Sequence, residues 1–322
     1  MRGRIIAVVA AVCVVAGCGS SAPEPRAERV EFTAPQPVGA SVLDTPAPTT
    51  TGPPVPACDP AASLRPTGPP VVVGAGPSVA AVVAQGRLRV GVDQNSYRFG
   101  YRDSFTGELG GFDIDVARQM AAAMFGDQNM IQFVTLTSGQ RIDALKNGDV
   151  DIVVQTMTSN CARKQEIDFS TIYYQAGQRV LVNVGSGIRD LDGLAGRRVC
   201  SSTGSTSIKN LAEAAAKPIP VGVPSWTDCL VMLQQGQVDA VSTDDTILAG
   251  LAAQDPNTEV VGPRFSDEPY GIGIAKGRDD LVRFVNAVLD RMRADGTWTA
   301  IYQRWLAELG PPPPPPAARY LS

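Results

Sequence analysis

Asn147-Gly-Asp-Val-Asp-Ile-Val-Val154 is echoed further along the chain by Gln235-Gly-Gln-Val-Asp-Ala-Val-Ser242. In each copy a helical pattern ends at a glycine and a short apolar strand begins. Working outward from the first copy, strand patterns occupy 87–93, 131–135 and 151–155. Helical patterns lie between them at 112–125 and 138–147. In the first helix Ile114, Val116, Ala117, Met120, Ala121 and Met124 fall on one face. Around the second copy, strands at 197–200, 219–223 and 239–242 alternate with helices at 205–216, 225–235 and 246–253. Strands alternating with amphipathic helices imply parallel sheets of βαβ units. The repeated motif makes these two similar α/β lobes rather than one barrel.

The ends read differently. Residues 1–4 are basic and 5–15 apolar, a run too short to span a bilayer but suited to a signal peptide. Val15-Ala-Gly-Cys18 resembles the lipobox of bacterial lipoproteins, in which the cysteine thiol is diacylated and becomes the mature N-terminus. Cys18 is therefore expected to be a lipid anchor, and Cys13 to be lost with the signal, 1–18. Residues 19–77 are rich in Pro, Ala, Ser and Thr and read as a tether that buries too little apolar surface to fold. The proline run 311–316, within a tail at 310–322, reads as a polyproline II spacer or frayed end.

Composition narrows the chemistry. A net charge of −4 without a long basic run argues against nucleic acid as a partner. The chain has no histidine, which removes Ser-His-Asp and Cys-His catalysis and the commonest zinc ligand. Cys58, Cys161, Cys200 and Cys229 remain, none in a C-x-x-C arrangement, so disulfides are expected rather than a metal. The expected pairs are Cys200–Cys229, closing a loop inside one lobe worth about 3.5 kcal/mol, and Cys58–Cys161, tying the Pro-rich segment to the body. Spacing leaves all three connectivities open. No catalytic residue, metal or cofactor is expected.

With these elements in place, the chain resembles the amino-acid-binding proteins of ABC importers, bacterial solute-binding protein family 3. The resemblance covers about 85–308 and rests on Leu88-Arg-Val-Gly-Val-Asp, Gly111-Phe-Asp-Ile-Asp, Asn147-Gly-Asp-Val-Asp-Ile, Met157 to Arg163 with Ile167-Asp-Phe-Ser, Gly204-Ser-Thr, Val238-Asp-Ala-Val-Ser-Thr-Asp and Tyr270-Gly-Ile-Gly. More narrowly, it is similar to the glutamate-, aspartate- and glutamine-binding lipoproteins of actinobacteria. It implies a two-lobed type II periplasmic-binding-protein fold, α/β, each lobe a mainly parallel sheet flanked by helices. Lobe 1 would span 78–178 and 272–309, and lobe 2 would span 179–271. Two hinge crossovers, near 178–183 and 270–275, would join them around a ligand cleft.

The resemblance also assigns residues. Arg163 would fork onto the ligand's α-carboxylate, with Thr158 as a hydroxyl donor and Thr156 as a further contact. Gly204, Ser205 and Thr206 would open a helix whose free N–H groups meet the same anion. Asp244 would take the ammonium, while its neighbour Asp245 caps the following helix. Ser138 and Arg141 match a Ser-x-x-Arg that holds a side-chain carboxylate in acid-binding members. Asp93 stands where members preferring glutamine or basic amino acids carry an aspartate. An Asp93–Arg141 pair would let one pocket take acids and amides. Phe99 would lie over the ligand stem or in the core, Tyr97 follows the same strand, and Asp113 and Asp115 would serve the helix start.

The expectation is an extracytoplasmic, lipid-anchored receptor on the outer face of the plasma membrane. It would capture aspartate, glutamate, asparagine or glutamine, with acids slightly ahead, for an ABC importer permease. A sensor docking on a membrane signalling protein needs the same cleft, and an enzyme on this fold is disfavoured.

Overall fold

The computed structural model describes residues 35–43 and 55–321. The signal segment with Cys18 lies outside the described residues, as does much of the segment read as a tether. Among the described residues, no helix is long and apolar enough to cross a membrane.

The repeated motif builds the same joint twice. Helices Arg141–Lys146 and Trp226–Gln234 each end before a glycine at positive φ, Gly148 (74°) and Gly236 (67°). The glycine N–H bonds back to Leu145 O in one and Leu233 O in the other, and the next N–H to Ala144 O and Met232 O. These contacts satisfy carbonyls that a helix end leaves orphaned, in a conformation glycine adopts at little cost. The motif aspartates then lock the following strand to the first strand of their sheet. Asp151 takes Arg89 N at 2.9 Å and Asp239 takes Arg198 N at 2.9 Å. Both also pair with an arginine guanidinium.

Two sheets result. One has the order Ile131–Thr135, Leu88–Val92, Ile152–Val153, Gly273–Ala275, Ile167–Phe169. The other runs Ser41–Val42, Ile219–Val223, Arg198–Ser202, Ala240–Asp244, Tyr174–Asn183, Thr258–Tyr270. The three strands read from each half are parallel with the same neighbour order, the first strand in the middle. The remaining pairings are antiparallel. Helices Phe112–Phe125, Asp279–Ala294 and Thr297–Leu306 cover one face of the first sheet, around Val90, Ile114, Met120 and Val285. The second sheet buries both faces, with Val241 on one side and Val199 on the other.

The chain passes from the first sheet to the second between Phe169 and Tyr174, and returns between Tyr270 and Gly273. The first crossing lies a few residues earlier than expected. Residues 178–183 already pair inside the second sheet, where Gln178 faces Asp244 and Leu181 faces Val241. The tyrosines Tyr174 and Tyr270 are paired at the crossing.

Two expectations about the ends are corrected. The described part of 55–77 is packed on the body. Ala62–Ser63 forms a parallel pair with Arg319–Tyr320, Ser63 Oγ donates to Phe169 O at 2.6 Å, and Asn286 Nδ2 donates to Leu64 O. The proline tail is likewise no frayed end. Arg293 Nε donates to Pro316 O at 2.8 Å, Arg319 pairs with Asp59 at 2.6 Å, and Tyr320 bonds Asp290. Both straps are held by main-chain and end-group bonds, which composition does not register. Residues 41–42 extend the second sheet at its edge.

Both expected disulfides are present, Cys58–Cys161 and Cys200–Cys229. Cys200 and Cys229 are fully buried. Cys58 is exposed and joins the N-terminal strap to the loop that carries Arg163. Closing so long a loop is worth about 4.7 kcal/mol in the chain-entropy account.

Candidate functional site

A nearly closed cavity of about 10 Å³ lies between the sheets, lined from the first lobe by Ser138, Arg141, Thr156, Thr158 and Arg163. Ser205, Thr206, Ser207, Trp226, Asp244 and Ile247 line it from the second. It is smaller than the roughly 300–1,000 Å³ of sites for drug-sized ligands. A much larger groove of about 880 Å³ lies elsewhere, between the proline tail and the crossover strands. Its arginines are already engaged, Arg179 with Gly262 O, Arg264 with Asp245 and Arg319 with Asp59. The small cavity has the convergent charge and is the candidate site.

Arg163 stands at the start of a short helix after the Met157–Ala162 loop. Its N–H is capped by Asn160 Oδ1 at 2.9 Å, Nη1 donates to Thr158 O at 2.8 Å, and Nη2 reaches across to Gly204 O at 3.2 Å. Burial lowers its pKa, while Glu268 and Asp244 raise it. Arg141 donates through Nε to Ser138 O and through Nη1 to Gln155 O, both at 2.9 Å. The main chain of Ser138, rather than its hydroxyl, thus aims Arg141. Burial first and the Arg163 charge second lower Arg141 to about 9.

Across the cleft, Ser205 caps helix Thr206–Glu213 by accepting from Ile208 N at 3.2 Å. That leaves the Thr206 and Ser207 N–H groups at the helix opening, a setting that favours an anion. Gly204 sits at φ 78°, and a Cβ there would lie 2.5 Å from Gly139 Cα of the opposite lobe. Only glycine fits this close approach. Asp244 ends its strand with Oδ2 accepting from Tyr270 Oη at 2.6 Å and Oδ1 facing Ser207 Oγ at 3.5 Å. Burial, then the charge of Glu268, pushes its carboxyl up to about 8.

Two expectations are corrected, and the alternative left open for Phe99 is decided. Asp245 does not cap the helix; Asp244 holds the N-cap position of Asp245–Ala252, and Asp245 pairs with Arg264. Asp93 and Arg141 form no ion pair. Asp93 instead holds its own loop, accepting from Gln94 N, Asn95 N and Ser96 Oγ at 2.7, 3.0 and 2.6 Å. Burial raises its pKa and those bonds lower it. Phe99 does not line the cavity; it is fully buried, edge-on to Tyr174 and Tyr270. Tyr97 is over one-third exposed.

Asp113 does more than complement a dipole. It accepts from Thr156 N and Tyr173 Oη, both at 2.8 Å, and burial raises it to about 7. Thr156 has φ 40°, strained for a β-branched residue by about 1–3 kcal/mol. Asp113 pins that strained turn, which carries Thr156 and Thr158 into the site. Gln155 Nε2 donates to Leu136 O at 2.7 Å, and the main-chain carbonyl of Gln155 accepts from Arg141.

The residue that sequence reading missed is Glu268, 2% exposed on the returning strand. Its Oε2 accepts from Thr158 Oγ1 at 2.6 Å and Thr206 Oγ1 at 2.7 Å. Its Oε1 accepts from Ser266 Oγ at 2.7 Å and Asn210 Nδ2 at 3.0 Å. Its position in a crossover strand carried no signal. Ser207, Trp226 and Ile247 were also missed, because on amphipathic helices they read as core.

The profile of the bacterial extracellular solute-binding proteins, family 3, matches residues 88–308. The chain is 39% identical over 232 residues to the ABC transporter glutamine-binding protein GlnH of Bacillus subtilis, covering 72% of this chain and 85% of that one. It is 31% identical over 242 residues to the glutamate-binding protein GluB of Corynebacterium glutamicum, covering 71% and 80%. An ancestral arginine-binding protein bound to glutamine superposes with a TM-score of 0.64 at 35% identity, covering 69% of this chain and 98% of that structure.

Proposed function

Because the chain belongs to family 3 of the bacterial extracellular solute-binding proteins, we propose that it captures a polar amino acid in the inter-lobe cavity and delivers it to an ABC importer. One observation carries this reading: two buried arginines, a helix opening and a buried aspartate from the two lobes converge on one cavity. Arg163 and the opening of helix Thr206–Glu213 suit an α-carboxylate. Asp244 suits an α-ammonium, and Arg141, with Ser138 beside it, faces the side chain. Such a match is needed, since an unpaired buried charge costs several kcal/mol.

The side chain it prefers is glutamine, with glutamate, asparagine and aspartate behind. Asp93, Asp113, Asp244 and Glu268 are four buried carboxyls against the two buried guanidinium groups of Arg141 and Arg163, and this setting already raises Asp113 to about 7 and Asp244 to about 8. A neutral amide adds no further negative charge to that set. The glutamine-binding relative, more similar than the glutamate-binding one, supports the same order. The protein would act at the outer face of the plasma membrane, anchored through a lipid on Cys18, with a permease as its partner.

Arg141 tests the side-chain assignment. Arg141→Ala is expected to weaken glutamate about 10- to 100-fold, the worth of hydrogen bonds to a charged group, and glutamine by much less. Competition between the two labelled amino acids on the wild type and the variant reads this directly. An equal loss for both would remove Arg141 from side-chain recognition.

A further inference from the structure

We infer that Glu268 is an internal latch, a positioning residue that draws the two lobes together through the hydroxyls of Thr158 and Thr206. Thr158 belongs to the first lobe, in the loop that leads to Arg163. Thr206 opens a helix of the second. One oxygen of Glu268 accepts from both, at 2.6 and 2.7 Å, and brings the two hydroxyl oxygens within 3.3 Å of each other. The other oxygen is fixed to the second lobe by Ser266 and Asn210. Asn210 also donates to Gln178 on the outgoing crossover strand, at 2.8 Å. The carboxylate is thus anchored to one lobe and to both crossover strands, and its free lone pair captures the other lobe.

Chemistry supports a latch over a mere filler. Glu268 is buried, and among the described residues it forms no ion pair, although its charge reaches the Arg163 guanidinium. Four neutral donors satisfy it instead, and charge-assisted hydrogen bonds of this kind are about twice as strong as neutral ones. Only one of the four, the Thr158 bond, joins the lobes, because Thr206, Ser266 and Asn210 belong to the second lobe together with Glu268. Arg163 Nη2 to Gly204 O is a further polar link between the same two loops. A residue that biases closure alters the affinity of every ligand of the closed form by one common factor.

The inference rests on the cavity being the ligand site, but its primary readout needs no ligand. Spin labels at Glu166→Cys and Lys209→Cys, exposed residues that line one cavity from opposite lobes, report the separation of the lobes. Glu268→Ala is expected to shift the distance distribution to longer values in the free protein, with Glu268→Gln, which keeps shape and one acceptor, in between. The Kd of each amino acid that binds should rise by the same factor, about tenfold for the loss of a charge-assisted bond, with rank order unchanged. Distances that stay the same in both variants would overturn the latch. A changed rank order would also overturn it, by making Glu268 a direct ligand contact. If no amino acid binds the wild type, the proposed function fails, while the distance measurement still decides the latch.

Discussion

Asp244→Ala is expected to weaken every α-amino acid about a thousandfold, while Asp245→Ala changes binding by threefold at most. Truncating one side of a buried, hydrogen-bonded charge pair costs about 2–5 kcal/mol, and tenfold corresponds to 1.4 kcal/mol. Asp244 is buried and aimed by Tyr270 and Ser207. Its neighbour makes a half-exposed pair with Arg264, of a kind worth at most about 1 kcal/mol. The two carboxylates are adjacent in sequence, yet the strand-to-helix turn sends them in different directions.

The same residue sets a pH dependence. Its carboxyl is raised from 3.8 to about 8, by burial first and by Glu268 second. A raised acid stabilises the free fold fully below its unfolded pKa, and that contribution is lost as pH rises through about 8. The ammonium of a ligand needs the carboxylate, so binding near neutrality must expel the proton. With one proton released, affinity should fall about 50-fold from pH 8 to pH 6, and the slope should vanish in Asp244→Asn. Titration calorimetry in two buffers of different ionisation enthalpy counts the proton. A flat profile in the wild type would remove Asp244 from ammonium binding.

Arg163→Ala is expected to have an effect of similar size, for a different reason. Its guanidinium is the cation nearest the opening of helix Thr206–Glu213, and it bridges the lobes through Thr158 O and Gly204 O. Losing it removes the carboxylate's fork and one link between the lobes, a loss of about a thousandfold. Arg163→Lys keeps the charge without the planar fork and should recover only part of the affinity. Thermal unfolding of the free variants separates binding from folding. Full affinity in Arg163→Ala would place the ligand's carboxylate elsewhere.

The architecture was largely legible from the repeated Gly-Asp and Gly-Gln motifs, because local caps and strand locks are written in adjacent residues. Gly148 and Gly236 announce helix ends, and Asp151 and Asp239 lock the strands that follow. Arg141, Arg163, Thr206 and Asp244 were found through the resemblance and do line one cavity. What was hidden depends on contacts between distant segments. Glu268 draws its partners from positions 158, 206, 210 and 266, and nothing local marks it. The bonds by which Asp93 holds its own loop, to Gln94, Asn95 and Ser96, were likewise not marked in the sequence. The Cys58–Cys161 tie of the N-terminal strap was expected, but the backbone bonds that hold both straps were not, because their composition is that of a tether.

The central claim is that one free polar amino acid occupies the cavity between the lobes. Titration calorimetry of the signal-free protein against each standard amino acid in turn tests it most directly. The expected result is one-to-one binding, tightest for glutamine, with glutamate, asparagine and aspartate next and apolar amino acids not detected. Binding of an apolar or aromatic amino acid ahead of these four, or of none at all, would contradict it.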